Sequence, residues 1–107
     1  MYFYDESDMT ARTIAPGVDI RVVSGEKAQM SFVTLQPGSH VPMHSHPHEQ
    51  MGMVLEGEFE FTIGEERRLV RKGDTYVIPG GIIHGVTRVE KRAVALDIFS
   101  QPREEYR

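Results

Sequence analysis

An all-β sandwich or barrel is the fold class this sequence predicts, on three observations. Turn-forming residues punctuate the chain roughly every 8–12 residues. The segments between them are short apolar runs or alternate with period two. Helical periodicity is nearly absent, and only the tail, Pro102 to Arg107, reads as a turn of helix.

Ile20 to Val23 is the first strand expected. Gln29 to Gln36 is the second, with Met30, Phe32 and Thr34 on one face and Ser31, Val33 and Leu35 on the other; Pro37-Gly38 then turns the chain. Met51 to Glu56 leads into Gly57, and Glu56-Gly57 reads as a tight hairpin with glycine supplying the positive φ. In Glu58 to Ile63, Phe59, Phe61 and Ile63 alternate with Glu58, Glu60 and Thr62, the pattern of a strand with one buried and one wet face. Gly64-Glu65-Glu66 turns the chain and Arg67 to Arg71 returns. Lys72-Gly73-Asp74 is the next turn. Thr75 to Ile78 is a strand closed by Pro79-Gly80-Gly81, and Gly85 to Val89 and Ala93 to Phe99 complete the set.

Composition sets the outer limits. A chain of 107 residues buries one core, so 1–107 reads as one domain. Hydrophobic residues at 39% and charged residues at 26% are globular values that exclude a disordered segment. The net charge of -4 argues against a nucleic-acid partner. The densest basic cluster, Arg67-Arg68 with Arg71-Lys72, flanks a turn and reads as a solvated face. Without cysteine there is no disulfide framework, thiolate nucleophile or cysteine-ligated metal site. Met1 to Thr10 carries Asp5, Glu6 and Asp8 and no secretory apolar run, and no stretch approaches the roughly 20 apolar residues that span a bilayer. A cytoplasmic protein with no membrane partner is the expectation.

Histidine placement points to chemistry. His40, His44, His46 and His48 cluster, and His84 stands apart. A lone histidine is usually a surface or hydrogen-bonded residue. In an extended strand, however, His44 and His46 point to the same side with Cα atoms roughly 6.5–7 Å apart. Two imidazoles so placed can converge on one ion at roughly 2.0–2.1 Å from each nitrogen.

The flanking residues add a pattern. From Gly38, five residues precede His44, one separates it from His46, three lead to Gln50 and six to Gly57. From Gly73, five residues precede Pro79; Gly81 follows, then two residues lead to His84 and three more to Arg88. These two stretches, 38–57 and 73–88, resemble the paired motifs of the cupins, with Gln50 where Glu is usual and Arg88 where Asn is usual. The resemblance implies a double-stranded β-helix, a jelly-roll barrel that brings both motifs to one interior site. It implies one divalent transition metal held by His44, His46, Gln50 and His84. Glu49, beside Gln50, is the stronger anionic ligand, but the motif spacing favours Gln50. His48 can also ligate, although it is not a motif position; His48 and His40 read as rim residues.

A neutral amide in the ligand set leaves the ion its full +2 charge, which favours an anionic or enolate-like ligand. With no thiolate, imidazole ligands suit Zn, Ni, Mn, Fe or Co alike.

Asp97 lies within the apolar run Ala93 to Phe99, where a carboxylate costs energy unless it is paired, ligating or catalytic. Strand alternation puts Ala95, Asp97 and Phe99 on one face and Val94, Leu96 and Ile98 on the other. The plain structural readings are an Asp97 paired with an arginine or merely at a strand edge, and a surface position for Arg103.

The opening Met1-Tyr2-Phe3-Tyr4-Asp5, the stretches His46 to Gln50 and Val54 to Gly64, and the ending Asp97 to Glu104 resemble, more narrowly, the pectin-degradation cupins that linearise unsaturated uronates. That resemblance implies that Asp97, Phe99 and Arg103 matter for turnover and that the substrate is an anionic carboxylate, a 4,5-unsaturated uronate opened to a keto acid. It also implies a homodimer; the aromatic patch Tyr2, Phe3 and Tyr4 can cover a sheet edge or a partner, or pack on its own barrel. Two other functions fit the same residues: another metal-dependent cupin enzyme, a dioxygenase or lyase on a small carboxylate, or a non-catalytic small-ligand-binding module. The absence of a helix-turn-helix segment weakens a DNA-linked sensor.

Overall fold

A computed structural model describes residues 1–107. Its strands are β1 (Thr10–Ala15), β2 (Val18–Ser24), β3 (Gln29–Leu35), β4 (Val41–His44), β5 (Glu49–Glu56), β6 (Glu58–Ile63), β7 (Glu66–Arg71), β8 (Thr75–Ile78), β9 (His84–Arg88) and β10 (Ala93–Ser100). They form two antiparallel sheets. The larger runs β1-β2-β3-β10-β5-β8 and the smaller β4-β9-β6-β7. This is the all-β architecture that the strand pattern predicts, in the jelly-roll form that the cupin resemblance implies.

Period-two patterning decides which faces meet. In β6, Phe59 and Phe61 are buried while Glu58 is exposed. In β10, Ala93, Ala95, Asp97 and Phe99 all face inward. Leu35, Val54, Ile78, Val86, Ala93 and Ala95 pack with the two phenylalanines between the sheets. Phe59 is 2% exposed, so Phe59→Ala is expected to destabilise the fold by about 3–5 kcal/mol, measured as a lowered urea midpoint.

The inward residues of β10 change character along the strand. Ala93 pairs with Leu35 of β3, whereas Phe99 pairs with Gln29 on one side and Gln50 on the other. One end of the space between the sheets is therefore apolar core. The other end is lined by polar side chains and becomes the site.

Several expectations need correction. Glu56-Gly57 is not a hairpin. β5 pairs with β10 and β8, and β6 with β7 and β9, so Gly57 is a corner where the chain changes sheets. Its φ is +71°, and a Cβ there would lie 2.6 Å from the Arg92 carbonyl oxygen, so glycine is required for both conformation and space. The strand bearing His44 ends at that residue, and His46 lies just beyond it, before the bend at Pro47-His48. β1 has no counterpart among the expected strands. Its sequence, Thr-Ala-Arg-Thr-Ile-Ala, is largely exposed at the edge of the larger sheet and has no apolar alternation to read.

Other expectations hold. β6 and β7 form the hairpin through Gly64-Glu65. The tail makes a short 3-10 turn, Glu104–Tyr106. Arg67, Arg68 and Arg71 lie exposed along β7, with Arg67 and Arg71 each 3.9 Å from glutamates of β6.

Candidate metal centre

His44 at the end of β4, His46 just past it and His84 at the start of β9 bring ligand nitrogens within 4.8 Å of one another. β4 pairs with β9 so that His44 and His84 are direct partners. His46, two residues past His44, brings the third imidazole beside them, with its ring 5.0 Å from that of His84. Convergence comes from the pairing of His44 with His84 across β4 and β9 together with the two-residue spacing of His44 and His46, whose rings lie 5.9 Å apart.

Each Nδ1 is bound to a main-chain carbonyl: His44 to Pro42 at 2.9 Å, His46 to His48 at 3.1 Å and His84 to Ile82 at 2.9 Å. A carbonyl only accepts, so each Nδ1 carries the proton and each Nε2 keeps its lone pair. His84 Nε2 is buried with no protein partner. His46 Nε2 lies 3.1 Å from Gln50 Oε1, which sets two acceptors face to face. A cation placed between these lone pairs would satisfy both, so the donor set fits a divalent ion.

Burial holds the His84 imidazole down at about 4, against 6.5 for a free one. His46 is lowered for the same first reason and by the nearby Arg103 charge. Both rings are therefore neutral, the ligating form, at neutral pH.

Gln50 is buried on the inner face of β5, while Glu49 is exposed on the other. His48 and His40 lie outside the three-histidine group. Arg88 is exposed and pairs with Glu90 at 2.5 Å, on the outside of the barrel.

Asp97, Phe99 and Arg103 line the same cavity as His44, Gln50 and His84. Asp97 pairs with no arginine; Tyr76 of β8 donates its hydroxyl to Asp97 Oδ1 at 2.5 Å. Burial raises the Asp97 carboxyl to about 6, against the pull of hydrogen bonds from Tyr76 and Gln50. Burial, then the Asp97 charge, pushes the Tyr76 hydroxyl far above its usual range, so it remains a donor.

Arg103 is buried rather than on the surface. Gln29, itself 1% exposed, clamps its main chain: Arg103 N–H donates to Gln29 Oε1, and Gln29 Nε2 donates to the Arg103 carbonyl, both at 3.1 Å. The guanidinium lies 4.3 Å from the Tyr106 ring centre and 5.5 Å from that of Phe99. Its Nη atoms bond Tyr106 and Glu105, and its Nε–H is buried without a partner. Sequence reasoning missed Gln29, Tyr76 and Tyr106. Gly52, a glycine inside a strand, was the one available signal for Tyr76.

The buried pair makes a pH prediction for metal-free protein. His84, lowered from 6.5 to about 4, contributes stability that is lost as pH falls through that window. Asp97, raised from 3.8 to about 6, destabilises increasingly as pH rises through its own window. The two slopes oppose each other between about pH 4 and 6. Asp97→Asn removes only the second, so relative to wild type the variant gains stability as pH rises from 4 to 6. Urea midpoints in chelator across that range check this.

The cupin domain family model matches residues 31–99. The pectin degradation protein KdgF of Dickeya dadantii is 28% identical over 107 residues, covering 98% of this chain and 96% of that protein. The structure of KdgF from Halomonas sp. aligns with a TM-score of 0.87 at 25% identity, covering 98% of this chain and 97% of that one. An RmlC-like cupin from Shewanella frigidimarina aligns with a TM-score of 0.90 at 21% identity over 100% of this chain and 96% of its own, a likeness of fold. With both motifs inside the matched span, the chain belongs to the cupin family.

Proposed function

We propose that this chain is a metal-dependent enzyme that opens a 4,5-unsaturated uronate to a linear keto acid. One observation carries the proposal: an acid–base group (Asp97), an unpaired guanidinium nitrogen (Arg103) and an aromatic wall (Phe99) share one cavity with His44, Gln50 and His84. Likeness to a pectin degradation protein over nearly the whole chain supports an acidic sugar as substrate.

His44, His46, His84 and Gln50 would hold the ion. A divalent cation there supplies Lewis-acid stabilisation of negative charge developing on oxygen. Arg103 offers its buried Nε–H to the substrate carboxylate, with Gln29 fixing its main chain. Phe99 and Tyr106 flank the guanidinium and exclude water. Asp97 removes the proton of the ring hemiacetal hydroxyl; the adjacent carbon–oxygen ring bond breaks, leaving an aldehyde and an enolate. Asp97 then returns the proton to the ring carbon, giving the keto acid. Atoms balance as an isomerisation, with no co-reactant.

A homodimer belongs to the same proposal. Met1, Tyr2 and Phe3 are exposed, and the outer face of the larger sheet carries exposed Met30, Met51, Met53, Val77 and Ile98. No helix is long and apolar enough to cross a membrane.

Product identity tests the reading. With unsaturated galacturonate and metal, proton NMR should show the open-chain keto acid forming without oxygen uptake. Fe(II)-dependent oxygen consumption with no such product would instead support a dioxygenase.

A further inference from the structure

We infer that Tyr76 is a positioning residue: by gripping Asp97 across Gly52, it fixes the Gln50 amide with its oxygen toward the histidine nitrogens. This rests on the metal-site part of the proposal above and not on the uronate.

β8, β5 and β10 are adjacent in the larger sheet, and Tyr76, Gly52 and Asp97 sit at one register across them. The middle residue has no side chain. A Cβ on Gly52 would overlap both Asp97 Oδ1 and carbon atoms of the Tyr76 ring. The two side chains on the flanking strands therefore meet over the glycine, where any other residue would hold them apart. The Tyr76 ring is set in turn by an edge-on contact with Phe61, centroids 4.8 Å apart.

The hydrogen bonds run in one direction. Tyr76 donates to Asp97 Oδ1. A carboxylate oxygen accepts, so the Gln50 side chain that bonds Asp97 offers it the NH₂ end of its amide. That leaves Oε1 facing His46 Nε2, 3.1 Å away. The orientation matters because an amide oxygen can ligate a cation and an amide NH₂ cannot. A carboxylate at position 50 would set two anions side by side. The glutamine, Asp97, Tyr76 and Gly52 are thus one matched set, and its purpose is to present an oxygen at the metal centre.

Tyr76→Phe removes the hydroxyl and keeps the ring and its contact with Phe61. Metal-free wild type and variant are titrated with Co(II), following the visible absorption of the bound ion against a competing chelator. The expected result is binding weakened about 10-fold, as for loss of an outer hydrogen-bond partner of a ligand, with a changed Co(II) spectrum. A packing role for the ring would leave both unchanged. Gly52→Ala keeps every polar group but forces Tyr76 and Asp97 apart, and should give the same loss; if it does not fold by circular dichroism, Tyr76→Phe decides alone. Tyr76→Phe with wild-type affinity and an unchanged spectrum would overturn the inference. Wild type that binds Co(II) but leaves the uronate untouched would remove the substrate and spare this inference. Wild type that binds no Co(II) would remove both.

Discussion

His84→Ala is expected to abolish tight metal binding and, with it, turnover above the spontaneous rate. The side chain is buried, its Nδ1 is anchored to Ile82, and its Nε2 has no role inside the protein other than to face the other two imidazoles. Alanine removes one of three histidine donors. Loss of a ligand's outer partner alone costs roughly 10–100-fold in affinity, so loss of the ligand itself should exceed that. Lewis-acid stabilisation amounts to several kcal/mol, or about 10³-fold in rate at roughly 1.4 kcal/mol per factor of ten. Calorimetric metal titration of the folded variant checks the first effect, and a rate measurement at the same metal concentration checks the second. Binding at wild-type strength would remove His84 from the ligand set.

Asp97→Asn is expected to lower kcat by on the order of 10²–10⁴ when assayed at saturating metal. Asparagine preserves volume and can still accept from Tyr76, so the cavity keeps its shape. It cannot carry the proton from hydroxyl to carbon. Saturating metal matters, because the substitution also changes what the Gln50 amide faces, and lost occupancy must not be counted as lost chemistry. Full turnover in a metal-loaded Asp97→Asn protein would assign the proton transfer to another group.

How far these groups were legible in the sequence follows from how local their determinants are. His44, His46, Gln50 and His84 stand at spacings that are themselves the signal, and strand alternation grouped Ala95, Asp97 and Phe99 on one face of β10 while leaving open which face looks inward. Glu49 and Gln50 illustrate this: adjacent in sequence, they lie on opposite faces because β5 is extended through both. The Gly57 corner reads as a hairpin because one glycine with positive φ serves a hairpin and a change of sheet equally well; only long-range pairing separates them. β1 stayed hidden because an exposed edge strand needs no apolar face. Tyr76 and Gln29 were invisible for a related reason. Tyr76 lies 21 positions from Asp97 and Gln29 lies 74 from Arg103, and neither side chain shows in sequence which partner the fold will bring to it. The arginine partner that a purely structural Asp97 would need is absent, because Arg103, though in the same cavity, is held by Gln29, Tyr106 and Glu105.

The measurement that bears most directly on the function is the rate of loss of enol-ether absorbance from 4,5-unsaturated galacturonate, with metal-replete and chelator-treated protein compared with the spontaneous reaction. The proposed chemistry predicts acceleration that chelator removes and that re-addition of one of Zn, Ni, Mn, Fe or Co restores. No acceleration with any of these metals, in protein shown to bind them, would contradict it.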